Sequence, residues 1–343
     1  MTVKEIAKLC NVSTATVSNI LNGKGKASEE TVAKVMEVVK KTNYKPNPMA
    51  QLLRTNISKT IGVIAEDIAQ FTTPDILEGI MEECENSGYR VLVENMRCYS
   101  RWGDKWYDSD EEFQRVLRLA IEDMKTVRVD GAIYIAGHTR EIVGFSESFD
   151  VPNVVTHAFS SSPKAISVMA DDVKGGYDVT KYLLDKGHRK IGYIGGRKDN
   201  LHTIRRLEGY QKALYEYGVL YNPSLVTFGN WDRQSGYECM KKLADADITA
   251  VFSNNDQMSG GAYEYLNEIG KTPGKDMSIA SFDNMVVAEY LIPGLTTMAL
   301  NLKEIGRVSA RKLFEEFEEN NETGQKIFVP GYFMERESVC DIN

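Results

Sequence analysis

The sequence has no apolar run long enough to cross a membrane, and charged residues appear early, at Lys4, Glu5 and Lys8. A membrane-spanning helix needs about 20 mostly apolar residues, and a secretory leader needs a continuous apolar segment. We therefore expect a soluble, cytoplasmic protein that makes no contact with membranes.

Cysteine and histidine are both scarce. The five scattered cysteines contain no CxxC pair, which argues against a disulfide framework and against a zinc site. The four histidines belong to no GxSxG or HExxH motif, and residues 192–196 have neither GxGxxG nor Walker spacing. We predict no metal, no cofactor and no enzymatic activity, although Asp283 leaves acid–base catalysis open in principle.

Positive charge is concentrated near the N-terminus. Residues 1–60 contain ten Lys or Arg and four Glu, a net charge of +6, whereas the whole chain carries −8 and residues 61–343 therefore carry −14. A polyanion such as DNA would be attracted to the first segment and repelled by the second. A solvated basic surface without a partner is the alternative.

Residues 3–22 have the local pattern of a helix-turn-helix. Two short segments, each with one apolar face, are interrupted at residues 11–12, and Ser13 stands where a helix N-cap belongs. Short side chains lie on the open face of the second segment, namely Thr14, Ala15, Thr16 and Asn19. Side chains of this kind can reach base edges in the major groove. Two ordinary core helices are the alternative.

A third helix is predicted from Ser28 to Lys41, with Ser28 as its N-cap, and it would complete an all-α head. The segment that follows has the pattern of a very short helix, which begins with a cap at Asn47. Its apolar face would consist of Met49, Ala50 and Leu53. A helix of this length is not stable alone in water.

From Thr60 onward, strand-like and helix-like segments alternate. The predicted strands lie at 61–65, 89–93, 131–135, 153–156, 191–194, 226–228, 250–252 and 278–282. Repeated strand–helix–strand units form parallel sheets with helices on both faces. The predicted fold is thus an all-α helix-turn-helix head followed by an α/β core of two doubly wound, parallel-sheet lobes. Asp283 would lie at the sheet edge where such folds bind ligands.

Nine segments together carry a family resemblance: 12–23 (VSTATVSNILNG), 43–47 (NYKPN), 59–64 (KTIGVI), 129–133 (VDGAI), 187–191 (GHRKI), 206–210 (RLEGY), 255–258 (NDQM), 281–283 (SFD) and 336–338 (RES). The chain resembles the LacI/GalR family of bacterial transcription regulators. The resemblance implies a DNA-binding head at 1–46, a hinge helix and linker at 47–59, and a core at 60–343 similar to periplasmic sugar-binding proteins. Lobe 1 is expected at about 60–160 and 292–320, and lobe 2 at about 161–291 and 321–343.

The resemblance also implies DNA-contacting roles in the head and the hinge. Its base-reading positions fall on the four side chains of the second helix named above. Many relatives carry Arg at the position of Asn19, and because Asn pairs with adenine we predict a changed half-site. Leu53 matches a leucine that relatives insert into the minor groove, where an apolar wedge bends the duplex. Asn47, Met49 and Ala50 would complete the hinge.

In the core, matching relatives hold sugar hydroxyls or a nucleobase with the residues at Asp283, Arg206 and Asn255. A carboxylate accepts hydrogen bonds and a guanidinium donates them in pairs, which suits vicinal hydroxyls. Trp231 matches an aromatic residue that packs against the ligand ring. Further candidates on the rim of the cleft are Phe71, Thr72, Thr73, Asp171, Asn200 and His202.

One segment departs from the family pattern. Residues 97–108 resemble an insertion of about a dozen residues, and they include Trp102, Trp106 and Tyr107. Because exposed aromatic clusters mark interaction sites, we expect these side chains to cap the cleft, meet the other subunit or contact a protein partner. Packing onto the first lobe is the simplest alternative.

These expectations describe a homodimeric repressor that binds palindromic, double-stranded operator DNA and responds to a small effector, expected to be a carbohydrate. The lack of leucine heptads after residues 336–338 favours a dimer over a tetramer. Two alternatives are open. A phosphorylated carrier protein could dock on the core in place of the effector, or the chain could be a solute-binding protein, although the basic head argues against the second.

Overall fold

The computed structural model describes residues 1–21, 27–44, 57–103, 110–318 and 324–343. The chain divides into two compact units, Met1–Ser58 and Lys59–Asn343. The predicted hinge residues Asn47, Met49, Ala50 and Leu53 lie outside the described residues, as do Trp106 and Tyr107. In the part of the chain that is described, no helix is long and apolar enough to cross a membrane.

The first unit contains the three predicted helices, α1 (Val3–Cys10), α2 (Thr14–Leu21) and α3 (Glu29–Lys41). Side-chain caps fix where two of them begin: Ser13 Oγ accepts from the N–H of Thr16 at 3.0 Å, and Ser28 Oγ accepts from the N–H of Thr31 at 3.3 Å. The helices enclose a small core of Ile6, Ala7, Cys10, Val17 and Val35. The expected helix-turn-helix and both expected N-caps are confirmed.

The elements of the second unit follow in this order: β1 (Thr60–Ala65), α4 (Thr73–Asn86), β2 (Arg90–Asn95), α5 (Cys98–Trp102), α6 (Asp110–Val127), β3 (Gly131–Ile135), β4 (Asn153–Thr156), β5 (Ile166–Ala170), α7 (Asp172–Asp185), β6 (Ile191–Gly195), α8 (Leu201–Glu216), β7 (Val226–Phe228), α9 (Arg233–Leu243), β8 (Ala250–Ser253), α10 (Asp256–Glu268), β9 (Ser278–Asp283), α11 (Val287–Tyr290), β10 (Thr296–Ala299), α12 (Leu302–Glu318), β11 (Gln325–Val329) and β12 (Tyr332–Met334). Short 3-10 turns occur at Ser146–Ser148 and Pro223–Leu225.

Within the described residues, these strands form two six-stranded sheets. The strand order is β11-β5-β4-β3-β1-β2 in the first sheet and β12-β10-β9-β8-β6-β7 in the second. Every pairing is parallel except that of β10 with β12. We call the first sheet and its helices α4, α6 and α12 lobe 1, and the second sheet and its helices α7 to α10 lobe 2. Strands β1 and β3 are buried along their whole length, which explains their continuous apolar sequence.

The lobe limits expected from the sequence need correction. Residues 166–170, expected in lobe 2, form β5, which pairs with β4 in lobe 1, and residues 325–329, also expected in lobe 2, form β11, which pairs with β5. Strand β10, expected in lobe 1, pairs with β9 in lobe 2. The first sheet is thus completed by β11 and the second by β12, and each of these strands follows elements of the other lobe in the sequence. The chain passes between the lobes after residues 170, 299 and 329.

Candidate functional site

Helix α2 presents most of its predicted base-reading side chains to solvent. Thr14, Ala15 and Asn19 are exposed, whereas Thr16 is half-buried and its hydroxyl lies 2.8 Å from Oγ of Ser13. The opposite side of the helix buries Val17 in the core of the head. The head therefore has an open helical face of short side chains, the geometry that major-groove reading requires.

A second site lies between the two lobes, where a cavity of about 440 Å³ opens at the carboxyl ends of the parallel strands. Lobe 1 contributes the segments that follow β1, β3 and β4, and lobe 2 contributes those that follow β6, β8 and β9. This is the edge at which parallel sheets bind ligands, and the volume is in the range of small-molecule pockets.

Most of the residues predicted for the cleft line this cavity: Phe71, Thr72, Asn200, His202, Arg206, Trp231, Asn255 and Asp283. Asp171 and Thr73 do not. The carboxylate of Asp171 instead caps helix α7, where it accepts from the N–H of Lys174 at 3.0 Å. Asp171 thus has a helix-capping contact and lies outside the lining of this cavity, and its ligand-binding role stays a prediction.

Arg206 lines the cavity and is anchored by several contacts. Its Nε donates to Oδ1 of Asp172 at 2.8 Å, and its Nη1 donates to the carbonyl oxygen of Asn254 at 2.5 Å. The guanidinium lies over the ring of Phe282, 3.7 Å from its centroid. Nη1 also reaches Oδ1 of Asp283 at 3.4 Å. A donor fork held at this many points can bind a polar ligand group without first losing side-chain freedom.

Asp283 ends strand β9 in a strained backbone conformation, with φ of +100°. Burial raises the pKa of this carboxyl, while the charge of Arg206 opposes the rise. His157 and Trp231 also line the cavity at positive φ, +62° and +68°. Backbone strain in non-glycine residues is concentrated at functional sites because the surrounding structure must hold it in place.

The side-chain amide of Asn255 holds Trp231 and caps a helix, so both of its polar atoms have partners within the protein. Its Oδ1 accepts from the N–H of Met258 and caps α10, while its Nδ2 donates to the carbonyl oxygen of Trp231 at 3.0 Å. The indole of Trp231 lies over Gly196, where a Cβ would approach ring atoms to 2.3 Å. Because residue 196 is glycine, the segment that follows β6 leaves room for the indole ring of Trp231.

The buried polar atoms of lobe 1 that have no hydrogen-bond partner among the described residues include Nε2 of His157 and Oγ1 of Thr72. Burial, with His202 nearby, lowers the pKa of His157 to about 3, so the ring is neutral. Its Nδ1 faces the carbonyl oxygen of Ala136 at 3.3 Å and donates to it, which leaves Nε2 as an acceptor. A buried acceptor without a donor is costly unless a ligand or water supplies one.

Sequence reasoning missed most of the lobe 1 wall, including Tyr99, His138 and Arg140. Nη2 of Arg140 donates to the buried carboxylate of Glu66 at 2.6 Å, and the hydroxyl of Tyr99 lies 3.0 Å from Nδ1 of His138. Tyr99 and Trp102 of the 97–108 segment both pack against the core of lobe 1, and Tyr99 also lines the cavity. In the sequence, the only indication that these residues line the cavity is their position just after predicted strands or inside the inserted segment.

Family models match two parts of the chain. Residues 2–47 match the model for bacterial regulatory proteins of the lacI family, and residues 180–339 match a periplasmic binding protein-like domain. The HTH-type transcriptional repressor PurR of Pasteurella multocida is 31% identical over 342 residues, which cover 98% of each chain. The chain belongs to the LacI family of bacterial regulatory proteins.

Other relatives of this LacI-family chain agree with the assignment. The ribose operon repressor of Haemophilus influenzae is 28% identical over 99% of each chain. Among solved structures, the lac repressor dimer bound to operator has a TM-score of 0.79 at 23% identity over 99% of each chain, which shows the shared fold. A LacI-family regulator from Enterococcus faecium with bound ribose has a TM-score of 0.64 at 25% identity, covering 83% of this chain and 100% of its own. The LacI-family chain is a DNA-binding transcription regulator with a helix-turn-helix head.

Proposed function

We propose that the chain is a homodimeric repressor whose affinity for a palindromic operator is controlled by a carbohydrate bound between the lobes. The observation that carries the proposal is the combination of an exposed α2 face on a basic head with a cavity at the sheet edges that charged, polar and aromatic side chains line together. Twofold symmetry would place two heads on two half-sites, as in relatives described as a dimer on operator.

The chemistry of the cavity favours a carbohydrate. Nε2 of His157 needs a donor, Asp283 accepts, and Arg206 donates, so the lining suits a ligand with several neighbouring hydroxyls. Trp231 adds an aromatic face on which the apolar side of a sugar ring can pack. Solved relatives are described with cellobiose and with ribose bound, which supports the same ligand class.

The DNA-reading part is tested by selecting an operator from random DNA and measuring affinity by fluorescence anisotropy at fixed salt. Asn19→Arg should change the preferred base toward guanine by about 1–3 kcal/mol of discrimination. Ala33→Arg adds the same charge on the exposed face of α3 and should leave the preferred base unchanged. Failure to enrich any sequence, with or without sugars, would exclude the DNA-reading role.

The hinge and the effector are tested in the same assay. Leu53→Ala should weaken operator binding at least about tenfold because the minor-groove wedge is lost, whereas Leu52→Ala should not. A panel of monosaccharides and disaccharides, including ribose and cellobiose, should contain a ligand that shifts operator affinity, and Asp283→Asn should abolish that shift. If no sugar acts but a phosphorylated carrier protein tightens binding, the carrier-protein mode replaces the sugar.

A further inference from the structure

A single buried carboxylate, that of Asp172, holds two side chains that lead to different parts of the core. Asp172 is the first residue of α7 and is 1% exposed. Its Oδ1 accepts from Nε of Arg206 at 2.8 Å, and its Oδ2 accepts from Nδ1 of His202 at 2.7 Å. Burial alone would raise the pKa of Asp172, but His202 and Arg206 hold it well below its usual range, so the group remains a carboxylate.

The two partners of Asp172 have different tasks. Arg206 lines the cavity and reaches Asp283, whereas the ring of His202 extends across the cleft to lobe 1. There Nε2 of His202 accepts from the backbone N–H of Thr139 at 3.0 Å. This bond joins lobe 2 to lobe 1 and is buried at both ends, since His202 is 6% exposed and Thr139 is 1% exposed.

Asp172 determines whether His202 can make that bond. A neutral imidazole carries one proton, and only the nitrogen without it can accept. Because Nδ1 donates to Oδ2 of Asp172, the proton stays on Nδ1 and the lone pair stays on Nε2, facing Thr139. The carboxylate and the Thr139 N–H favour the same tautomer, and loss of the carboxylate removes the acceptor that holds the proton on Nδ1.

We propose that Asp172 is a positioning residue that couples the state of Arg206 in the cavity to the bond between His202 and Thr139, and so couples effector binding to the closure of the two lobes. This inference rests on the proposed function for its biological meaning. The coupling is physical: both bonds end on one carboxylate, so a ligand that reorients Arg206 also reorients the oxygen that His202 needs.

The first experiment compares Asp172→Asn with Asp171→Asn, the same isosteric change at adjacent positions. An amide has one acceptor oxygen, so Asn at 172 cannot accept from both Arg206 and His202. Asn at 171 keeps the helix cap. The readouts are hydrogen exchange of the Thr139 amide and the 15N tautomer signature of His202, which is resolvable in a chain with four histidines.

We expect the Thr139 amide to exchange at least tenfold faster in Asp172→Asn than in wild type, with loss of the pure Nδ1–H signature of His202. Asp171→Asn should match wild type in both measurements. Wild-type exchange together with a wild-type tautomer in Asp172→Asn would overturn the proposal.

A second pair of variants keeps the proposal testable if Asp172→Asn does not fold. Arg206→Lys alters only the cavity partner of Asp172, and no hydrogen bond between Arg206 and either His202 or Thr139 occurs among the described residues. Coupling through Asp172 predicts at least threefold faster exchange at Thr139 in this variant, whereas the neighbouring Arg205→Lys should have no effect. Equal exchange in the two variants would refute the coupling.

None of these measurements uses DNA or a sugar. If operator selection fails while Thr139 and His202 respond as expected, the proposed function is wrong and the coupling between Arg206 and the lobes stands. If an operator and an effector are found while Thr139 does not respond, the coupling is wrong and the regulator proposal stands.

Discussion

The ring of Tyr99 occupies the space in which a side chain on residue 137 would lie. An ideal Cβ on Gly137 would be 2.8 Å from Cε2 and 2.9 Å from the hydroxyl oxygen of Tyr99. The N–H of Gly137 also donates to Oε2 of Glu66 at 2.7 Å, so the backbone cannot retreat freely. Gly137 and Tyr99 therefore form one unit of the cavity wall, although 38 positions separate them in the sequence.

We predict that Gly137→Ala displaces the Tyr99 ring, destabilises the core by about 1–3 kcal/mol and changes the rank order of sugars bound. Urea unfolding and a sugar panel followed by calorimetry measure these effects. Tyr99→Phe keeps the ring and loses the hydroxyl that contacts His138, so it should cost about 1 kcal/mol and keep the rank order. Arg101→Ala, exposed on the same helix, is the control, and a Gly137→Ala protein that behaves like it would disprove the prediction.

A second glycine sets the position of Arg206. A Cβ on Gly176 would approach the carbonyl oxygen of Arg206 to 2.3 Å, so α7 and α8 are in backbone contact there. Gly176→Ala should lower the unfolding free energy by about 3 kcal/mol or more and weaken effector binding. Gly260→Ala, in α10 with open space around it, should instead stabilise by about 0.5–1 kcal/mol. Equal urea midpoints for the two variants would show that the helices can separate at no cost.

Asp256 makes stability depend on pH. Burial, reinforced by the charge of Asp283, raises the pKa of Asp256 to about 7. The folded state therefore binds this proton more tightly than the unfolded state, and the stabilisation, complete below the unfolded pKa, is lost as the pH rises to about 7. Asp256→Asn removes the titration.

The unfolding free energy of wild type relative to Asp256→Asn should therefore fall by about 2–4 kcal/mol between pH 4 and pH 8. Urea unfolding at several pH values measures this difference, with Asp245→Asn, at an exposed carboxylate, as the matched control. A difference between wild type and Asp256→Asn that is independent of pH would contradict the assignment.

We predict that Nδ2 of Asn255 supports Trp231 and that Oδ1 of Asn255 caps α10. Asn255→Asp retains the oxygen cap on Met258 but loses the donor to the Trp231 carbonyl, so we expect a shifted Trp231 indole resonance and weaker effector binding with the helix intact. Asn255→Ala should lose the cap as well, at an additional cost of about 1 kcal/mol. An unchanged indole resonance in Asn255→Asp would rule out this support.

Local signals were sufficient for much of the fold. Ser13 and Ser28 marked helix starts because capping depends on residues only three positions away. Fully apolar segments such as β1 and β3 identified buried parallel strands. Strand β5 and the last three strands were not predicted, and which sheet they join depends on pairing with residues distant in the chain. Sequence pattern does not encode that choice locally.

The roles of single residues in the cavity are likewise not encoded in the local sequence pattern. Two adjacent aspartates begin α7, and Asp171 caps the helix while Asp172 turns inward to His202 and Arg206. The local sequence pattern does not separate their roles, because adjacent positions at a helix start point about 100° apart and the exact start of the helix decides which one turns inward. The tryptophans are the conspicuous feature of the aromatic segment in the sequence, yet in the described part of that segment Tyr99 is the residue that lines the cavity.

The three passages of the chain between the lobes constrain how this protein can be rebuilt. Neither lobe is a continuous piece of sequence, because lobe 1 needs its edge strand β11 and lobe 2 needs its edge strand β12, and each of these follows elements of the other lobe. A chimera that exchanges one lobe for that of a relative must therefore be joined at three places, each between elements that belong to different sheets. The head, in contrast, ends at Ser58 as one contiguous unit and can be exchanged at a single junction. Operator specificity can thus be transplanted far more simply than effector specificity.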